Sequence, residues 1–317
     1  MAGGGGIPSD LATVLATAGV GDTANANLDE NTAFSGAFGP GATALSDAGI
    51  GTFANLSGNT ATSTAFGATV TPGPPAGTAL ADAGIGSHAN LSDNMATAWT
   101  FGGVSTVDAG IASFANGSAN VAWAASQFGD AEASAGVGDH ANLSGNGAYA
   151  YALFGVAVAD AGIGSFGNFS DNLSVAQTTG GVSTAETLGS DASMATAGSV
   201  GAPGSGTVAE AAATDGTGSN AGAGAVGSSA FAVATTVGSG DTADAAALGT
   251  GALAAADVVG TNQNADATAV GTGSTASATE ALGVSTVLAT SGLGGWSDAS
   301  TSGGGWTVSI NGATLVS

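Results

Sequence analysis

An all-β, parallel β-solenoid with terminal caps is predicted for this chain by three observations. Near-identical phrases recur along it, the recurring positions form columns of one residue type, and between them small residues alternate with larger ones. The phrase "DAGIGSHANLSDN" at 82–94 returns as "DAGIGTFANLSGN" at 47–59 and "DAGIGSFGNFSDN" at 160–172. The tetrapeptide AG[IV][GA] places glycine at Gly19, Gly49, Gly84, Gly110, Gly136 and Gly162, and the last four are 26 residues apart. A repeat of this length is one structural unit that must lie on its neighbours to bury anything.

The columns show what stacking has to explain. Asn55, Asn90, Asn116, Asn142 and Asn168 share one position, and Asn59, Asn94, Asn120, Asn146 and Asn172 another, with Asn27 and Asn31 opening the series. In a parallel solenoid equivalent positions lie about 4.8 Å apart, where asparagine amides form ladders. Gly is expected at corners that need positive φ. The second half of each unit, as in "VAWAASQFG" and "GAYAYALFG", alternates and ends at Phe-Gly in five of six copies. Such alternation over 4–8 residues is a strand signal.

From Val226 an 11-residue unit takes over, led by Val226, Val237, Leu248, Val259 and Val270. Alanine fills Ala232, Ala243, Ala254, Ala265 and Ala276, and again Ala234, Ala245, Ala256, Ala267 and Ala278. The spacing A-x-A puts both columns on one face of a strand. The unit is either a small flattened coil or half of a coil of 22. Glycine every 11 residues argues against helix, and the retained apolar columns argue against disorder.

Four segments follow. Residues 1–18 are an N-terminal cap, with Ser9 or Asp10 capping a short helix within Ile7–Gly19. Residues 19–188 form the solenoid of 26-residue repeats, interrupted by a Pro/Gly insertion near 71–79. Residues 189–294 form the solenoid of 11-residue repeats. Residues 295–317 are a C-terminal cap hairpin turning at Asn311–Gly312, with Trp296 and Trp306 at that end.

Composition narrows function. Only 7% of residues are charged, all 23 of them Asp or Glu, and Lys and Arg are absent. Phosphate contacts rest on basic residues, so no nucleic-acid partner is expected, and no polybasic attachment to anionic lipid. Cysteine is absent, which removes disulfides and thiolate metal sites. No stretch reaches the roughly 18 apolar residues of a membrane-spanning helix, and no signal peptide is recognisable.

The candidate site residues are mostly structural columns. Phe53, His88, Phe114, His140 and Phe166 form an aromatic column; its histidines are read as stacking residues before metal or acid–base groups, since two coils separate them by about 10 Å. Asp47, Asp82, Asp108 and Asp160 precede AGI, and stacked carboxylates repel unless protonated, hydrated or bridged by calcium. A solvated acidic edge is the reading preferred, with no cofactor expected; calcium is the alternative. N-x-S triplets begin at Asn55, Asn90, Asn116, Asn142, Asn168 and Asn172, and ladder Asn accounts for them better than glycosylation. No Ser/His/Asp grouping or paired acid marks a catalyst, so no enzyme is expected.

The block 226–294 resembles the head repeats of trimeric autotransporter adhesins of bacterial surfaces, through the apolar-Gly step and alternating small residues of "TAVGTGSTASATEALGVST", Thr268–Thr286. The resemblance implies a β-roll presented outside a cell, as a trimer. The expectation is therefore a non-catalytic structural or adhesive repeat protein, extracellular or at the cell surface, partnered by itself in a fibre, sheath or spike. The alternative is an ice-binding solenoid whose face carries the column Ser228, Ser239, Thr250, Thr261 and Thr272.

Overall fold

The computed structural model describes residues 2–5, 13–20, 26–27, 30–38, 41–50, 54–66, 77–87, 90–113, 116–137, 142–162, 169–170, 172–188, 194–201, 207–218, 220–261, 264–281, 286–292, 295–301, 306–310 and 314–316. It is all-β, about 80% strand, with parallel sheets stacked as a β-solenoid. The chain divides into two compact units, Met1–Ser174 and Val175–Ser317.

In the first unit each coil contributes a strand to each of three sheets. One sheet carries Thr32–Phe38, Thr60–Phe66, Met95–Phe101, Val121–Gln127 and Gly147–Leu153. The second carries Thr13–Val20, Ala42–Ile50, Gly77–Ser87, Gly103–Ser113, Ala131–Ala135 and Val156–Ala161. The third consists of two- to four-residue strands such as Asn90–Ser92 and Asn116–Ser118. Register follows the repeat: Ser105 pairs with Ala131, and Ala131 with Ala157, each 26 residues on. The offset is 35 where Ala44 pairs with Ala79, nine more than the regular repeat, and the ladder keeps its register on both sides of the difference. The Pro/Gly segment itself, up to residue 76, lies outside the described residues.

In the second unit a coil has two faces. Thr242–Leu248 pairs with Asn264–Val270, and Leu253–Thr261 with Thr275–Ala281, at an offset of 22. The 11-residue unit is therefore half of a coil, one unit per sheet. The offset is still 26 where Met194–Val200 meets Asn220–Val226, is 23 where Thr207 pairs with Ala230 and Thr214 with Val237, and becomes 22 across an irregularity between Thr214 and Gly216. The compact units thus divide near 174, before the expected change of block at 188–189. The three-sheet unit ends with the short third-face strand Phe169–Ser170, whereas the wording of the repeats drifts more slowly.

Two features of the ends differ in kind. No helix is present among the described residues, and the segment expected to cap the N-terminus as a helix is a strand, Thr13–Val20, wherever it is described. It pairs in parallel with Ala42–Ile50, Leu15 beside Leu45, and a neighbouring strand satisfies backbone groups that a short helix would leave open. At the other end Trp306–Ile310 and Thr314–Val316 pair antiparallel.

The apolar part of the interior is built almost wholly of alanine. Ala61, Ala96, Ala122 and Ala148 stack in one fully buried column, and Ala232, Ala254 and Ala276 in another. The gap between opposed strands is too thin for more, and large side chains on the same strands point outward. Some interior hydroxyls meet one another, as Ser46 does Ser35 at 2.8 Å and Thr100 does Ser126 at 3.1 Å, whereas those of Ser183, Thr187, Thr207 and Thr236 are buried without a partner. Gly129 and Gly155 explain the Phe-Gly ending. A Cβ on either would lie 1.8 Å from the Gly103 carbonyl oxygen or 2.0 Å from that of Gly129, so backbones touch there.

Candidate functional site

The best-defined constellation is the inner asparagine ladder. Asn59, Asn94, Asn120, Asn146 and Asn172 are all at most 1% exposed. Each side-chain amide donates to the Oδ1 of the next: Asn59 to Asn94 at 3.0 Å, Asn94 to Asn120 at 2.9 Å, Asn120 to Asn146 at 2.9 Å and Asn146 to Asn172 at 3.0 Å. The same Oδ1 also accepts the preceding backbone N–H, at 3.1–3.2 Å. Asn31 joins at the start, giving both donors to Asn59 Oδ1 at 3.0 Å. A buried amide needs its partners, and stacking supplies them from copies of itself.

The glycine column exists because of this ladder. Gly49, Gly84, Gly110, Gly136 and Gly162 have φ of 62–67°. A Cβ on any of them would fall 2.2–2.4 Å from the amide of Asn59, Asn94, Asn120, Asn146 or Asn172 respectively. Two columns ten residues apart in sequence thus form one interlocked corner.

The other asparagine column lies on the short third-face strands. Asn55, Asn90, Asn116 and Asn142 are backbone partners in unbroken register. Asn168 lies outside the described residues, as does the whole aromatic column Phe53, His88, Phe114, His140 and Phe166.

The acidic column is brought together. Asp47 pairs with Asp82, Asp82 with Asp108, Asp108 with Ser134, and Ser134 with Asp160. These side chains are half-buried on the outward face of the second sheet. Burial, reinforced by the charges of Asp108 and Asp47, pushes the Asp82 carboxyl up to about 7. Burial also raises Asp47, and raises Asp108 against an opposing Ser134 hydrogen bond. Among the described residues no group of three or more acids or histidines is arranged to hold a metal ion: the four carboxylates form a row, not a cage.

That row makes stability pH-dependent. A carboxyl raised in the fold from 3.8 favours the folded state while protonated. Its contribution is complete below pH 4, is lost as pH rises from about 4 to 7, and is absent above. A tenfold change in proton affinity corresponds to about 1.4 kcal/mol, so with solvent screening we expect about 2 kcal/mol from Asp82. The first unit should melt at a higher temperature at pH 4 than at pH 8, and Asp82→Asn should flatten that difference by raising the pH 8 value. Calorimetry of both proteins at the two pH values checks it; an unchanged slope in the variant would reject the assignment.

The serine/threonine column of the 11-residue block is divided by the 22-residue coil. Ser228, Thr250 and Thr272 are 22 apart at one corner, linked by backbone bonds from Ser229 to Thr250 and Gly251 to Thr272, both 2.9 Å. Ser239 and Thr261 pair at the other. The hydroxyls therefore line two separate edges instead of one face.

Two features are not evident from the sequence pattern. Glu280 points inward, 4% exposed, with neither carboxylate oxygen hydrogen-bonded; its phase with Ala276 and Ala278 is the available signal. The larger omission is the outward face of the first unit's Thr32–Phe38 sheet. Phe34, Trp123 and Tyr151 are 45–53% exposed, and Tyr149 and Trp99 lie on the same face. Rings cross coils: Phe38 stacks on Phe66 at 4.9 Å, Phe66 meets Trp99 edge-on at 4.7 Å, and Phe128 stacks on Phe154 at 5.8 Å. The second unit has a shallow outward concavity of about 250 Å³, lined by Thr184, Glu186, Glu210 and Thr235 among others. Comparison with protein-family models, with curated proteins and with solved structures returned no match.

Proposed function

We propose that this chain is a non-catalytic structural or adhesive repeat protein, working outside the cell or at its surface and associating with copies of itself. The observation that carries this reading is the inversion of ordinary packing: alanine fills the interior while Phe, Trp, Tyr, Leu and Val side chains stand outward in rows. Contiguous exposed apolar patches mark interaction surfaces, and rows repeated at strand spacing offer the same contact many times over. No Lys or Arg accompanies the acids, and the exposed rings are suited to contact. The divided hydroxyl column removes the argument that favoured an ice-binding face.

Electron microscopy of dilute purified protein, with and without calcium, tests the proposal. The expected result is ordered assemblies under both conditions. Particles no larger than one chain at every concentration would overturn it, and assembly only with calcium would reassign the acidic row as a bridging site.

A further inference from the structure

We propose that two copies of this chain pair face to face through the acid-free aromatic sheet of the first unit, related by a two-fold axis. This inference rests on the self-association reading above and assigns it a surface. The strands Thr32–Phe38, Thr60–Phe66, Met95–Phe101, Val121–Gln127 and Gly147–Leu153 each turn four positions outward. None of those positions holds Asp or Glu, although the chain carries 23 acids and no Lys or Arg. The adjoining sheet of the same unit carries Asp47, Asp82, Asp108, Glu132 and Asp160 on its outward face. Charge is thus segregated between faces of one unit.

That segregation selects the occupant. Two chains of net charge −23 repel, and any contact across an acidic face would bury carboxylates without a cation to pair them. The aromatic face is free of that cost. Among the described residues the exposed acids beside it stand at its corner turns, Glu30, Asp93 and Asp130, as a polar rim around an apolar centre. The size fits as well. Seven-residue strands about 23 Å long, five of them across about 24 Å, give a face of roughly 550 Å². Pairing would bury about 1,100 Å² in total, above the roughly 1,000 Å² expected of a specific interface. Sheets packing face to face lie about 10 Å apart, with rings interdigitating. Ala125 sits between Trp99 and Tyr151 in register and leaves a hollow between them for a partner ring.

Sedimentation of the full chain tests this, comparing wild type with Trp123→Asp, Tyr151→Asp and the control Ala255→Asp. Ala255 lies outward on the second unit, between Val233 and Ser277 in its column. A two-fold interface buries each new carboxylate twice, so the two face variants should weaken association by about 100-fold or more, with the control unchanged. The absence of cysteine permits a second measurement that does not depend on the charged variants folding. Ala125→Cys should form a disulfide-linked dimer on oxidation, and Ala255→Cys should not. Association that no face variant weakens, without cross-linking at Ala125, overturns this face while leaving self-association standing. A wild type monomeric at every concentration, even in high salt that screens the acids, overturns both. A monomer that instead binds a neutral polysaccharide through the same rings overturns the second copy as occupant.

Discussion

Replacing Asn120 by alanine lowers the stability of the first unit by about 4 kcal/mol, the expectation for three buried hydrogen bonds lost at one position. Asn120 stands mid-ladder. Its Oδ1 accepts from the Asn94 side chain at 2.9 Å and the Asn94 backbone at 3.2 Å, while its Nδ2 donates to Asn146 at 2.9 Å. Alanine removes all three and opens a void at a site that is 0% exposed. The backbone donor of residue 120 keeps its bond to Asn146, so the loss is confined to the side chain. Asn31, half-buried at the start of the ladder, gives a comparison: its side chain makes one ladder bond, to Asn59, and Asn31→Ala should cost about 1 kcal/mol. Urea denaturation of the three proteins measures both values. Equal small losses at the two positions would mean that the ladder contributes little and the alanine stack carries the fold.

The contrast between Asn120 and its neighbours shows what the sequence made legible. Columns of Asn at 26-residue spacing led directly to stacked coils and amide ladders, because only parallel stacking brings Asn94, Asn120 and Asn146 within hydrogen-bond reach. The same pattern could not say that the Asn59 series is the buried one while Asn55 and its equivalents lie on a separate short sheet: both columns read alike, four residues apart. Likewise an A-x-A alternation places residues on two faces without saying how many units close a coil. The register of Ala243 with Ala265 settles that at 22, and with it the division of the hydroxyl column. The aromatic face was hidden for a physical reason. In most proteins Trp123, Tyr149 and Tyr151 would be core residues and the alternating alanines would face solvent. Among the described residues no fully buried side chain is larger than Val107 or Asn120, which reverses the usual reading. The helix expected near the N-terminus failed similarly, since local capping signals at Ser9 and Asp10 were outweighed by a whole neighbouring strand with which to pair.

Gly110→Ala should be as damaging as loss of the amide, and for a reason that ties the two columns together. Gly110 has φ of 67°, and its added Cβ would lie 2.3 Å from Asn120 Cγ. The left-handed conformation alone costs an L-residue about 1–2 kcal/mol. The overlap cannot be relieved by rotating a flexible end, because the Asn120 amide is held from both sides by Asn94 and Asn146. Either the ladder breaks at Asn120 or the corner opens, and both bring the total to about 4 kcal/mol. The double variant separates strain from overlap. With Asn120 already alanine, the new Cβ meets empty space, and Gly110→Ala should then cost only its conformational term. The two losses should therefore fall short of additivity by about 2 kcal/mol, as contacting residues do. Strict additivity would show that the glycine column answers to backbone conformation alone. Sub-additivity at Gly110–Asn120, with none between Gly110 and the distant Asn31, would show that each corner is one unit of two interlocking columns, copied so that each coil completes the hydrogen bonds of the one before.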